Sequence, residues 1–126
     1  MSYLDYSNAL NYIHGNRKFG IKLGLQNIEK LLELMDNPHK KLKYVHIAGT
    51  NGKGSTAAFI SSVLLESGIK VGLYTSPYIE RFTERIKVNG EEIPGDELAD
   101  ITEFVKEKVD IMVKSGMNHP TEFEVV

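Results

Sequence analysis

Cysteine is absent from the 126-residue sequence. Its absence excludes disulfide bonds, zinc sites built on thiolates and catalysis by a cysteine nucleophile, and it fits a reducing compartment. No apolar run approaches the roughly 18 residues that a membrane-spanning helix needs. The first residues also lack the basic start and the apolar stretch of a signal peptide. We therefore expect a cytoplasmic protein that does not enter a membrane.

An excess of basic charge is lacking as well. The formal net charge is -2 and the isoelectric point is about 6.1. No broad positive field would draw the protein to nucleic acid or to anionic lipid. The one basic run, Lys40, Lys41 and Lys43, is typical of a solvated turn before a strand. With 41% apolar and 25% charged residues, the composition is that of one soluble globular domain.

Hydrophobic spacing and turn residues predict the secondary structure. Helices are expected at residues 3–13, at residues 25–35, at residues 55–66 and from a cap at Asp96 onward. Strands are expected at residues 44–48, 71–75 and 123–126, and a hairpin at residues 86–93 turns at Asn89-Gly90. Alternating strands and helices indicate an α/β fold. We predict a truncated P-loop-type, mostly parallel sheet with flanking helices, plus a small β-hairpin.

A glycine-rich segment joins the strand at residues 44–48 to the helix at residues 55–66. Glycines let a backbone bend so that several N–H groups point at one anion, and the start of a helix adds unpaired N–H groups with partial positive charge. Lys53 supplies a positive charge for phosphates, and the hydroxyl of Ser55 or Thr56 can meet phosphate or Mg²⁺. This segment predicts a site for the phosphates of a nucleotide.

The usual phosphate-loop pattern, G-x-x-x-x-G-K-[ST], is not met. Ile47 stands where the first glycine is required, and Gly54 separates Lys53 from Ser55. Spacing alone therefore leaves open a glycine-rich turn between a strand and a helix that binds nothing. The strand before the segment and the helix after it favour the phosphate site.

The glycine-rich segment, in the form that departs from the usual pattern, resembles that of a known family. Residues 45–55 with the inserted Gly54, followed by Val63, Leu64 and Gly68, resemble the signature of folylpolyglutamate synthases, a branch of the Mur-type amide ligases. The segments 19–25, 75–90 and 121–124 resemble the same family, in the same order. The other Mur-type ligases typically place the hydroxyl residue directly after the lysine. The resemblance thus covers nearly the whole chain.

The resemblance implies an ATP-dependent ligase of folate biosynthesis and one-carbon metabolism, monomeric at full length. ATP would phosphorylate the γ-carboxylate of folate, and the amine of L-glutamate would then attack the acyl phosphate. Some members also act on dihydropteroate as dihydrofolate synthases. Backbone N–H groups, a lysine and Mg²⁺ would offset the repulsion between carboxylate and phosphate. Lys53 is then the catalytic residue, and the ATP-binding residues are Gly49, Thr50, Asn51, Gly52, Lys53, Gly54 and Ser55.

The resemblance also implies a metal ligand and two substrate-binding segments. Ser76 matches a serine that binds Mg²⁺, an ion that prefers oxygen ligands and keeps several waters; without the resemblance, Ser76-Pro77 is an ordinary turn after a strand. Tyr78 stands where many relatives carry a histidine, so that residue's hydrogen bonds are in doubt here. Two segments match those that contact the pterin-bearing substrate, and their apolar members could equally serve packing: Lys22, Leu23, Gly24, Leu25, and Thr121, Glu122, Phe123, Glu124.

The histidines do not indicate a functional site. The four histidines show no metal-ligand spacing, so structural or surface roles are expected for His14, His39, His46 and His119.

The family's second signature, a Glu-x-Gly-x-Gly-Gly-type strand and turn, does not occur in this sequence. We interpret residues 1–126 as the N-terminal portion of the ATP-binding, Mur-ligase-like central domain, and we expect little or no ligase activity from the chain alone. Two alternatives stay open. One is a nucleotide-binding module without catalysis. The other is a Mur-type ligase for a peptidoglycan precursor, against which Gly54 and residues 121–124 argue.

Overall fold

The structure, a computed structural model, describes residues 4–19 and 24–126. Its helices are Tyr6–Gly15 (α1), Gln26–Leu34 (α2), Lys53–Glu66 (α3), Gly95–Lys114 (α4) and Glu122–Val125 (α5). Its strands are Gly72–Tyr74 (β1), Ile86–Val88 (β2) and Glu91–Glu92 (β3), and short 3₁₀ helices lie at Asn16–Phe19, Pro38–Lys41 and Phe82–Arg85. The mixture of helices and strands confirms the predicted α/β class.

The described residues form two compact units. The helical unit contains the residues up to Lys43 and those from Asp96 to Val126, and the sheet unit contains Tyr44–Gly95. Within the described ranges, no helix is both long enough and apolar enough to cross a membrane.

The helical unit is built around α2 and α4. Leu31 of α2 packs against Val105, Val109 and Met112 of α4, and these four side chains are at most 7% exposed. Partly buried side chains complete the cluster: Leu34, Met35, Met117 and Val125. Both predicted helices are confirmed, although Leu25 and Ile101 of their predicted apolar spacing are 66% and 50% exposed. Since α4 begins at Gly95, Asp96 lies in its first turn and not at its cap, where a carboxylate still interacts favourably with the helix dipole.

The end of the chain is helical, and the strand predicted at residues 123–126 is wrong. Thr121 caps α5: its hydroxyl accepts a hydrogen bond from the N–H of Glu124 at 3.3 Å. The carboxylate of Glu124 accepts one from the N–H of Thr121 at 3.0 Å. This reciprocal capping box satisfies two backbone donors that a helix start otherwise leaves unpaired, which favours the helix over an extended segment.

The sheet unit contains the only strands among the described residues, and they pair antiparallel in the order β1-β2-β3. The hairpin between β2 and β3 confirms the prediction. Asn89 and Gly90 have φ values of 53° and 84°, the two positive values that a type I′ turn requires. Asn89 also holds β1, because its Oδ1 accepts a hydrogen bond from the N–H of Val71 at 2.9 Å.

The mostly parallel sheet is not found within residues 4–19 and 24–126. Residues 44–48, the predicted first strand, form no ladder with another described segment. A strand is defined by its pairing, and a run of strand-forming residues does not supply its own partner. The apolar residues of this segment stay open, with Tyr44 65% and Val45 64% exposed.

A polar network ties the 3₁₀ helix at Phe82–Arg85 to β3. The guanidinium of Arg81 donates to both carboxylate oxygens of Glu92, from Nε at 3.1 Å and from Nη2 at 2.7 Å. The hydroxyl of Thr83 donates to the same carboxylate at 2.8 Å. Hydrogen bonds from Arg81 and Thr83 favour the ionised form of Glu92 and lower its pKa from 4.5 to about 2.

The packing around Met112 gives a prediction for stability. The Met112→Ala substitution removes a side chain that is 0% exposed, and we expect it to lower the free energy of unfolding by about 2–5 kcal/mol. Ile111→Ala is the control, because Ile111 lies next along α4 and is 46% exposed. Urea denaturation followed by circular dichroism measures both variants. Equal losses would contradict the assigned core.

The network at Glu92 predicts a dependence of stability on pH. Since the pKa of Glu92 is lower in the folded protein, its contribution is present above pH 4.5 and is lost as the pH falls toward about 2. In Arg81→Gln this loss should be smaller, because the carboxylate has lost its main partner. Urea denaturation at a series of pH values measures the difference. Lys70→Gln is the charge-matched control, and parallel pH curves for wild type and Arg81→Gln would refute the prediction.

Candidate functional site

The glycine-rich segment forms an open bend at the start of α3. Gly52 has φ 76° and ψ 7°, a left-handed conformation that residues with a side chain adopt only with strain. Every residue from Gly49 to Ser55 is exposed. A methyl group placed on Gly52 or on Gly54 would meet no atom within 4 Å. The bend is therefore accessible, as a phosphate site requires.

The start of α3 offers hydrogen-bond donors. Its first intrahelical bond runs from the N–H of Thr56 to the carbonyl of Gly52 at 3.0 Å. No side chain caps the helix, and its first turn holds no acidic residue. The N–H groups of the first turn are thus available to an outside acceptor, and the helix dipole favours an anion there. This arrangement can hold a phosphate group.

Lys53 is the first residue of α3, and its ammonium group lies over the bend. Its Nζ donates a hydrogen bond to the carbonyl oxygen of Gly49 at 2.6 Å. The side chain therefore spans the bend from its helical end to its first residue. An ammonium in this place adds a positive charge beside the open N–H groups, so the bend can attract an anion from two sources at once.

Ser76 lies in a second loop of the sheet unit, which we name the Ser76 loop (residues 75–85). The loop leaves β1 and returns to β2, and its ends are joined by a hydrogen bond from the N–H of Thr75 to the carbonyl of Arg85 at 2.9 Å. Ser76 is exposed and precedes a cis peptide bond to Pro77. Tyr78 packs its ring edge-on against Phe82, with the ring centroids 5.8 Å apart.

Glu84 holds the middle of the Ser76 loop. Its carboxylate accepts hydrogen bonds from three consecutive backbone N–H groups, those of Ile79 at 3.0 Å, Glu80 at 2.9 Å and Arg81 at 2.7 Å. Because these donors favour the ionised carboxylate, with those of Ile79 and Arg81 contributing most, the pKa of Glu84 lies below its ordinary value. Glu84 stays ionised at neutral pH and fixes the loop.

The sheet unit offers hydroxyl donors for a Mg²⁺ ion. Among the described residues, no three His, Asp or Glu side chains lie close enough to form a metal site. The oxygen donors at hand are hydroxyl groups, on the exposed Ser76 and on Ser55 and Thr56 at the bend. Neutral hydroxyls suit an ion that keeps most of its water and takes its anionic ligands from phosphates. They fit a magnesium–nucleotide complex and not a bare metal centre.

The described residues among the predicted substrate-binding ones belong to the helical unit, whereas the bend and Ser76 belong to the sheet unit. Lys22 and Leu23 are outside the described residues. Gly24 has φ 101°, and Leu25 occupies the cap position of α2 with 66% of its surface exposed. Leu25 could instead serve packing at the start of α2. A side chain this exposed, however, packs only a small part of its surface.

The second predicted segment is mostly engaged within the protein. Glu122 accepts a hydrogen bond from Nε of Arg17 at 2.9 Å and lies 3.3 Å from Nδ1 of His14. Thr121 and Glu124 form the cap of α5 already described. Phe123, by contrast, is 87% exposed, so the interpretation of Phe123 as a core residue is wrong. It is the one side chain of the four with a large open surface.

Sequence reasoning missed Glu84, Arg81 and Glu92. The only signal was the spacing of Arg81 and Glu84, three residues apart as in a capping box, but arginine is not a usual cap.

The four histidines lie in different surroundings. His14 lies beside Glu122, and His119 stacks on Phe19 with ring centroids 4.0 Å apart. His39 is half-buried and His46 is exposed.

Comparison with known proteins identifies the relatives of the chain. No protein-family model matches it. The dihydrofolate synthase/folylpolyglutamate synthase of Bacillus subtilis (strain 168) is 46% identical over 121 residues, which are 96% of this chain and 28% of that protein. The structure of folylpolyglutamate synthetase from Lactobacillus casei has a TM-score of 0.89 at 38% identity, over 97% of this chain and 31% of that one.

A solved FPGS-AMPPCP-folate complex is similar too, with a TM-score of 0.85 at 38% identity, over 97% of this chain and 30% of that one. The chain thus spans less than a third of the length of these relatives. The similarity extends over almost all of its own length. The chain belongs to the folylpolyglutamate synthase/dihydrofolate synthase family.

Proposed function

We propose that the protein carrying this chain is an ATP-dependent ligase that adds L-glutamate to the carboxylate of folate, and that the bend at Gly49–Ser55 holds the phosphates of ATP. One observation carries the proposal: the bend is exposed, the Lys53 ammonium lies over it, and the start of α3 has no cap. Relatives named for folylpolyglutamate synthesis, and a relative solved with AMPPCP and folate, support it.

The chemistry follows from the charges that must meet. A carboxylate oxygen of the substrate attacks the γ-phosphorus of ATP, the bond to the β-phosphate oxygen breaks, and ADP leaves. The amine of glutamate then attacks the carbonyl carbon of the acyl phosphate, phosphate leaves, and the nitrogen loses a proton as the amide forms. Lys53 and the N–H groups of the bend would stabilise the negative charge of the transferring group.

Magnesium belongs to the same proposal. When bound, the ion would screen the charge of the β- and γ-phosphates. Ser76 would hold it through its hydroxyl, together with Ser55 or Thr56, while phosphate oxygens and waters complete the shell. The exposure of these hydroxyls supports the assignment.

The substrate-binding residues of the proposal are those of the helical unit. Two segments would contact the pterin end of folate or dihydropteroate. They are Lys22, Leu23, Gly24 and Leu25, and the segment from Thr121 to Glu124. The exposed surfaces of Leu25 and Phe123 support an apolar contact with a flat ring. A monomeric, cytoplasmic enzyme remains our proposal for the full-length protein.

We further propose that residues 1–126 are the N-terminal portion of the ATP-binding domain. Residues 44–48 run without a strand partner among the described residues, and two large side chains of α3 are open, Phe59 at 73% and Val63 at 65% exposure. Apolar surface of this kind is covered in folded domains by further strands and helices. The share of the relatives' length that the chain spans supports this proposal.

Nucleotide binding is tested at Lys53. Lys53→Ala should weaken the affinity of the chain for ATP by at least about tenfold, since it removes a charge-assisted contact to phosphate. Isothermal titration calorimetry with Mg²⁺ measures the affinity. Lys70→Ala is the matched control, because Lys70 is an exposed lysine of the same unit outside the bend. Unchanged affinity in Lys53→Ala would contradict the proposed site.

Ligase activity is tested on two polypeptides. The 126-residue chain should release no phosphate above background from ATP, folate and glutamate, because it spans only 28% of its Bacillus relative. A polypeptide that continues this chain to the relatives' length should release phosphate, and its Lys53→Ala variant should not. Turnover by the short chain would overturn the prediction. Nucleotide binding without turnover by the long one would favour a binding module that lacks catalysis.

A further inference from the structure

We propose that Glu84, supported by the ion pair of Arg81 with Glu92, is a positioning residue that holds the Ser76 loop in the shape in which Ser76 meets the magnesium–nucleotide complex. The inference rests on the proposed function of the bend and of Ser76. It adds three residues that neither bind the nucleotide nor contact the metal.

The shape of the Ser76 loop depends on polar contacts. At its base, the N–H of Thr75 donates to the carbonyl of Arg85, and Nη2 of Arg85 donates to the hydroxyl of Tyr74 at 2.6 Å. Between these ends the chain has few apolar anchors: Phe82 is 2% exposed, whereas Ile79 is 91% exposed. From Ser76 to Arg81 every residue except Tyr78 is exposed, so this part of the loop needs other contacts to hold one conformation.

Glu84 supplies those contacts for the segment that follows Ser76 and Pro77. An ionised carboxylate is an acceptor with two oxygens, and here both oxygens face backbone N–H groups of residues 79–81. The three donors are consecutive, so the carboxylate fixes the direction of the backbone there. This turn begins three residues after Ser76, and its loss would free the arm of the loop that carries the serine.

Arg81 and Glu92 tie the same turn to the sheet. Arg81 gives its N–H to Glu84 and its guanidinium to both oxygens of Glu92 on β3. Thr83, 7% exposed, adds its hydroxyl to the same carboxylate. A bidentate arginine–carboxylate pair has a defined geometry as well as strength. Arg81 and Thr83 therefore anchor the loop to the hairpin.

A positioning role and a merely structural role predict different results. If Glu84 acts through Ser76, its loss should weaken binding only when Mg²⁺ is present, since the bend at Gly52 contacts the phosphates without Ser76. If Glu84 only stabilises the sheet unit, its loss should weaken binding equally with and without the metal. The dependence of affinity on Mg²⁺ separates the two.

The test uses Glu84→Gln, which keeps the size of the side chain and replaces one acceptor oxygen by an NH₂ donor that faces the backbone N–H groups. The affinity for AMPPCP is measured by calorimetry, with Mg²⁺ and again with EDTA, on the polypeptide that continues this chain to the relatives' length. We expect Glu84→Gln to raise the dissociation constant about tenfold with Mg²⁺, and to leave it unchanged with EDTA. Glu91→Gln is the control, because it removes an equal charge beside Glu92 without touching the loop.

A double variant tests the route of the effect. Ser76→Ala should lose the same metal-dependent affinity, and Ser76→Ala combined with Glu84→Gln should lose no more than Ser76→Ala alone, because the two act through one contact. Should Glu84→Gln fail to fold by circular dichroism, Arg81→Lys takes its place, since lysine keeps the charge and loses the bidentate geometry.

The outcomes separate the inference from the function on which it rests. A wild-type polypeptide of the relatives' length that binds no AMPPCP under either condition overturns the proposed nucleotide site, and the inference falls with it. If wild type gains affinity with Mg²⁺ and Glu84→Gln gains the same, the inference is wrong while the nucleotide site stands. An equal loss with Mg²⁺ and with EDTA makes Glu84 structural and also overturns the inference.

Discussion

The left-handed backbone at Gly52 is the constraint on which the candidate nucleotide site depends. With φ at 76°, the chain turns at Gly52 into α3, whose first N–H groups have no side-chain cap. A side chain at this position would strain the backbone whatever its chemistry. The site is thus made mainly of backbone, and Lys53 adds a charge to donors that the bend already presents.

This dependence on backbone explains why the departure from the usual phosphate-loop spacing does not abolish the bend. What the anion needs is a set of converging N–H groups and a positive charge nearby. Gly54 lies inside the first turn of α3 and leaves that turn intact, and the Lys53 ammonium still reaches back to Gly49. The spacing differs from the usual pattern, while an uncapped helix start and a lysine beside it are present.

With one exception at the end of the chain, the sequence predicted well where structure is decided locally, and it failed where structure is decided by distant partners. The hairpin at Asn89-Gly90 was correct because those two residues choose the turn by themselves. The helix α5 was mistaken for a strand, although its cap, Thr121 with Glu124, was readable as a local signal. Residues 44–48 are strand-like in composition, yet pairing depends on another segment. The contacts of Glu84 could not be predicted from the sequence, since its three donors converge only once the loop has formed.

In the segment from Thr121 to Glu124, a match to a family motif does not require a role in binding. Thr121 and Glu124 are occupied by the cap of α5, and Glu122 is held by Arg17 and His14. These contacts give three of the four residues a structural reason to be what they are, with or without a substrate. Only Phe123 extends a large side chain into solvent. Phe123 is therefore the residue of this segment whose exposure its own contacts leave unexplained.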